Sequence, residues 1–432
     1  MRTAASIVLT TSLLVGCSAA QPSITPPSAS PAPAPIPAPQ ATASPPPLSE
    51  PTATPTALPD ATGATFEWGE ATEMVGLGGL DRPRIAYADG TYVLMEGSRV
   101  WSSADATTWL ESDLSFGDDD FIELNGLVAA GPGFVIVGTE TIDADADGDA
   151  DDSAGLVLTS SDGRSWERLN DWRFAHSGIN HLGSSRQGLV AFGNTRNAGS
   201  SIWTSVDGTA WLKATNETGL EVAGGVQLVA EHDGRLTAFV RRPGGDPYEL
   251  GPVDVWQTEG RAEWQKVGAL PDPSAIVHRA AFGGGRWLAV GYAPPDDPNN
   301  APDAWTSTDG RTWTRTAAPI EAHAAIAGWA DGMIAASHTG SSPGETCGGS
   351  EPYVGRSRIS LSGGDWIVVP PTEGAAATAL LVVGDRIPAI GVSTRQNVVS
   401  LVRWLAPLPQ VVVAPASTPT PAPTQRSEGC GG

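Results

Sequence analysis

Alternating carboxylates are the first feature of this sequence with chemistry to offer. Asp143, Asp145, Asp147, Asp149 and Asp151 are separated by single residues, with a turn-forming Gly148 among them. Such a run can supply the roughly six to eight oxygens that a calcium ion takes. The alternative is a solvated acidic insert. His278 and His323 could share a metal, but two ligands so far apart in sequence form no metal-spacing motif. Three cysteines stand at Cys17, Cys347 and Cys430. The sequence shows no phosphate-cradling glycine loop and no Ser-His-Asp motif.

The formal net charge is −23, and lysine occurs only as Lys213 and Lys266. Such a chain repels phosphate backbones, which excludes nucleic acid as a partner. It also repels anionic lipid, so any hold on a membrane must be covalent.

The elements that would position these groups are short apolar runs punctuated by Gly and Pro, which read as strands. They recur. Ser160-Ser-Asp162-Gly163-Arg-Ser165-Trp166 returns as Ser205-Val-Asp207-Gly208-Thr-Ala-Trp211 and as Ser307-Thr-Asp309-Gly310-Arg-Thr312-Trp313. Weaker copies begin at Ser103, with Asp105 and Trp109, at Thr258, with Trp264, and at Ser360, with Trp366. The copies lie roughly 45 to 57 residues apart, the length of a four-stranded propeller blade. Asp105, Asp162, Asp207 and Asp309 are therefore read as structural: each carboxylate caps a tight hairpin turn. Each copy has an apolar strand upstream, as in Gly133-Phe-Val-Ile-Val-Gly138 and Gly188-Leu-Val-Ala-Phe-Gly193.

Seven such strands precede only six turn motifs. The last copy ends at Trp404 without a fourth strand, while Phe66-Glu-Trp68 has a Trp without an upstream partner. The fold expected is all-β, a seven-bladed β-propeller of four-stranded antiparallel blades closed by the N-terminal strand, with Trp68 in the repeat position. A six-bladed ring with extra strands is the alternative. A fixed count back from the end of each second strand lands on Arg84, Asn125, Asn180, Gln227, His278 and Thr378, and on His323 in blade six, whose turn is one residue longer. This register makes a polar ring at the mouth of the central channel, either a binding site or a generic solvated lining. His181 and Arg279 adjoin it.

Three resemblances add to this reading. Leu14-Val15-Gly16-Cys17 follows a short apolar stretch, Ala4 to Val15, and resembles the lipobox of bacterial lipoproteins. About a dozen apolar residues are too few to span a bilayer, but they suit a signal peptide. The resemblance implies cleavage before Cys17 and lipid on its sulfur, hence an exported protein anchored at the outer side of the cytoplasmic membrane or cell surface. The turn motif resembles the Asp-box of the bacterial neuraminidase repeat, which implies a sialidase-like propeller but says little of activity. The Asp143 run resembles the opening of an EF-hand or dockerin calcium loop, although Ala154 stands where that family has a bidentate glutamate.

The organisation expected is a signal peptide over 1–16, a lipidated Cys and Pro/Ala/Ser/Thr-rich linker over 17–63, the propeller over 64–410, and a Pro/Thr-rich tail over 411–432. The linker and tail cannot bury enough apolar surface to order themselves. Cys347 and Cys430 form an even pair in an exported chain, either a disulfide or two thiols. No cofactor is expected beyond calcium, and the chain reads as a monomer. Function falls to one of two readings. The first is a binding module for an extracellular protein, glycan or metal ion. The second is a sialidase-like glycoside hydrolase, for which Arg84 and Arg279 are candidate carboxylate binders while a third channel arginine is not evident. Cys17→Ala is expected to abolish fatty-acid labelling and to release the protein from membranes; an unlipidated wild-type chain that stays soluble would remove the anchor.

Overall fold

The computed structural model describes residues 61–66, 68, 72–74, 83–114, 116, 121–142, 152–169, 172–195, 199–214, 220, 225–244, 250–261, 263–292, 302–319, 324–339, 354–361, 364–373, 375–395 and 398–413. They form seven four-stranded antiparallel sheets in a ring, a seven-bladed β-propeller. Blade one comprises Arg84–Ala88, Thr91–Glu96, Arg99–Ser103 and Leu110–Glu111. Blades two to six repeat this meander, with first strands Phe121–Ala130, Ser177–Ser185, Gly225–His232, Ile276–Gly283 and Ala325–Trp329. The first strands of successive blades touch around the whole circle, and that of blade seven reaches back to blade one.

Closure follows the expected route with a shifted strand. Blade seven takes three strands from the C-terminal end, Ala375–Leu380, Arg386–Arg395 and Val398–Pro407, and its fourth from the N-terminal end. That fourth strand is Thr72–Met74, paired with Leu401–Arg403, rather than Phe66-Glu-Trp68. Trp68 instead lies 5.7 Å from the Trp404 ring and donates from Nε1 to Ser357 Oγ of blade six. Its indole faces the preceding blade, as the repeat tryptophans do, so the packing role is kept while the hydrogen-bonded ladder begins four residues later. Outside the seven sheets, Ala61–Thr65 runs antiparallel to Gln410–Val413, so the chain enters and leaves the ring side by side.

The core lies between blades. Val93 and Met95 of blade one pack on Phe134, Ile136, Leu156 and Leu158 of blade two. Phe239 of blade four meets Trp287, Trp305 and Trp313 of blade five. Trp101, Trp203, Trp211 and Trp305 are almost fully buried. Each removes about 200 Å² from water, at most roughly 5 kcal/mol of hydrophobic stabilisation.

The aspartate carboxylates cap their turns by hydrogen bonds. Asp309 Oδ1 accepts the N–H groups of Arg311 and Thr312, both at 2.8 Å, and Gly310 donates its N–H to Ser307 Oγ at 2.9 Å. Asp105, Asp162 and Asp207 repeat the arrangement. Gly163 needs its φ of +72°, and a Cβ there would stand 2.6 Å from Val93 of the preceding blade. The turns thus join blades as well as strands. Donated hydrogen bonds hold all four carboxyls below their usual range: the Thr107 side chain contributes most at Asp105 and a backbone N–H at the other three, and Asp309 is taken down to about 2, with Thr312 the largest contributor. A folded pKa below the unfolded one stabilises above about pH 4 and is lost as pH falls toward 2. Asp309→Ala is expected to cost about 1 kcal/mol at pH 7, by analogy with helix caps. Wild type and variant should converge in denaturant titrations as pH drops through that window. A gap that persists at pH 2 would contradict the turn's electrostatic role.

Candidate functional site at the channel mouth

The first strands line the channel, and those of blades two, three, four, five and seven carry a β-bulge. In blade two Leu124 pairs with Gly138 and Gly126 with Val137, leaving Asn125 as the extra residue. The same irregularity leaves out Asn180, Gln227, His278 and Thr378 in blades three, four, five and seven. A bulge bends its strand and re-aims the residue it contains. It also crowds the second strand: a Cβ at Gly291 would overlap the Ile276 carbonyl oxygen, and Gly193 and Gly391 meet the equivalent obstacle. Gly193 was legible in the sequence as a strand end, but its reason was not. Arg84 begins its strand opposite Met95 and is exposed. His323 lies outside the described residues.

Several of these side chains reach the next blade rather than the channel axis. Asn125 Nδ2 donates to the Ile179 carbonyl of blade three at 3.0 Å. His181, beside the bulge residue of blade three, donates from Nε2 to the Val226 carbonyl of blade four at 3.1 Å. Gln227 Oε1 accepts from the Val277 N–H of blade five at 2.9 Å, and Arg241 donates to the Ala275 carbonyl at 2.8 Å. The acceptors at Ile179 and Val226 immediately precede the bulge of the receiving strand, so the collar is a chain of links from blade to blade. Thr378 bonds within its own blade, to the Ile390 carbonyl at 3.4 Å. His278 stands edge-on to Tyr292 with ring centroids 5.5 Å apart, and Arg279 donates to the His278 carbonyl. Arg241 and Tyr292 were not singled out by sequence; no motif marks either.

Burial, and next the positive charge of Arg84, push His181 down to about 4. Arg84 belongs to blade one and His181 to blade three, so the guanidinium field acts across the mouth. The Asp-boxes occupy the opposite face: Gly131, in the turn after the first strand of blade two, abuts the Asp207 carbonyl of blade three. Among the described residues no three His, Cys, Asp or Glu side chains converge as a metal site. Asp143, Asp145, Asp147, Asp149, Asp151, Cys17, Cys347 and Cys430 lie outside the described residues.

No family model matches this chain. No curated protein matches it either. Similar solved structures include a mutant Trypanosoma rangeli sialidase with trans-sialidase activity, at 11% identity and TM-score 0.41, covering 80% of this chain and 58% of the sialidase. A polysaccharide lyase aligns at 7% identity and TM-score 0.45 over 80% of this chain and 92% of its own. An ancestral GH74 enzyme aligns at 12% identity and TM-score 0.47 over 79% and 51%. The chain thus spans less than two thirds of the sialidase it is similar to.

His181 provides a direct check on the collar. Its nuclear magnetic resonance titration should have a midpoint near 4 in the folded protein, against about 6.5 in the unfolded chain. The unfolded chain then takes up the proton first, so this histidine's share of stability is complete above about pH 6.5 and lost as pH falls through 4. A midpoint near 6.5 in the folded state would show a side chain open to water.

Proposed function

We propose that this chain is a tethered binding module: a rigid disc held outside the cell by lipid on Cys17, presenting its mouth face to an extracellular protein or glycan. The observation that carries this reading is the collar. Asn125, His181 and Gln227 are bonded to neighbouring blades. The scaffold is therefore rigid before any ligand arrives, which lowers the ordering cost of binding.

Recognition then falls to the segments between second and third strands, whose flanking strand ends lie on the side of the bulges. They differ widely in length, from 97–98 in blade one to 340–353 in blade six. The 143–151 segment carries the alternating aspartates, which we assign to calcium; a disulfide between Cys347 and Cys430 would fasten the tail to the longest segment. A second reading, a sialidase-like glycoside hydrolase, is favoured by the position of Arg84, whose charge reaches His181 across the mouth.

A glycan panel and calcium chloride, applied to the full chain by calorimetry, test both readings. Glycan binding is expected that disappears when residues 341–352 are replaced by a short Gly-Ser link. Calcium heat is expected that disappears in the Asp145→Asn, Asp147→Asn double variant. Undiminished glycan binding by the shortened chain would take recognition away from the 341–352 segment, and a full chain that binds no glycan would sink the glycan form of the module reading. Turnover of a fluorogenic sialoside that is lost in Arg84→Ala would establish the hydrolase instead.

A further inference from the structure

On the face of the aspartate-capped turns, blade four departs from the repeat, and a cleft lies there. In blades two, three and five the residue three after the box serine is glycine. Gly163 and Gly208 there press against Val93 and Val135 in the second strands of the preceding blades. Blade four has Thr258-Glu259-Gly260-Arg261 instead, so glycine sits in the aspartate slot and arginine in the glycine slot. Thr258 still accepts the Gly260 N–H at 3.0 Å, so the turn survives. The Arg261 stem lies beside Gly188 of blade three, in the slot the box glycine fills elsewhere. A cleft of about 690 Å³ lies there, bordered by blades three, four and five.

Its chemistry is specific. Arg235, Arg261 and Arg311 line it against Glu259 and Glu263, an excess of positive charge in a chain of net charge −23. Glu259 is already engaged by Arg235. Arg261 Nε is buried without a partner, and an unpaired buried guanidinium donor is costly. Gln187 and Gln265 add amides that can donate and accept side by side, while the Gln257 amide nitrogen already donates to Thr237 Oγ1 and the Gly310 carbonyl; Leu212 and Val267 are the apolar residues in the lining.

We propose that this cleft binds a hydroxylated carboxylate, with the carboxylate on Arg261 and the hydroxyls on the glutamine amides. The ligand can be a uronic-acid saccharide or a free hydroxy acid; both present this chemistry. The site is on the face opposite the mouth and does not depend on the reading proposed above.

Calorimetry on the full chain with digalacturonic acid, citrate and neutral galactobiose separates the sources. At least one of the two acids should bind, and the neutral sugar should not. Digalacturonate without citrate identifies a saccharide site; citrate binding at least as tightly identifies a hydroxy-acid site. Arg261→Gln should weaken binding at least tenfold. Gly260→Asp combined with Arg261→Gly rebuilds the box, and should abolish binding while keeping or raising the melting temperature. No heat with either acid, or wild-type affinity in both variants, overturns the proposal.

Discussion

No blade of this protein can bury both of its faces alone. Each sheet offers tryptophan, phenylalanine and branched aliphatic side chains that are covered only by its neighbour, as Phe239 is by Trp287, Trp305 and Trp313. A linear stack would leave two apolar faces in water and two unpaired edges. The ring removes the faces, and every other feature follows from the need to close it. Hence the last blade borrows Thr72–Met74 from the other end of the chain, and Trp68 covers Ile334 and Ile359 of blade six.

Closure divides the disc into two unlike faces. On one, the Asp-box turns are held by backbone N–H groups on a single carboxylate oxygen and are packed against the preceding blade. On the other, polar side chains at and beside the bulges of the first strands tie blade two to three, three to four and four to five. Both devices are repeated, so both are first of all structural. Individuality appears where the repetition fails: at Arg261 on the box face, and in the unequal segments on the mouth face. A departure from a repeat that leaves a buried guanidinium nitrogen unpaired costs stability, and that cost points to use.

Charge acts at two scales. The net charge of −23 sets a long-range field that disfavours anions. Locally, positive charge acts where Arg84 lowers the pKa of His181 and where Arg261 stands in the altered turn of blade four. The pair of Arg99 with Glu111 at 2.7 Å is exposed and contributes little, whereas Asp254 is buried and shared by Arg242 at 3.2 Å and Lys266 at 2.8 Å.

The sequence by itself determined the architecture, because blade length, turn chemistry and tryptophan spacing are local properties repeated often enough to be read without coordinates. It found a shared register too: Asn125, Asn180, Gln227, His278 and Thr378 stand at equivalent places in their strands, and register is counted along the chain. It did not show that a bulge creates that register, since a bulge exists only where one strand is paired with another. Nor did it reveal that Asn125 and Gln227 bond to the next blade, or that the closing strand begins at Thr72 while Trp68 only packs. Those were decided by the tertiary structure. They depend on distances between residues far apart in sequence, and those distances are set only when the ring is complete.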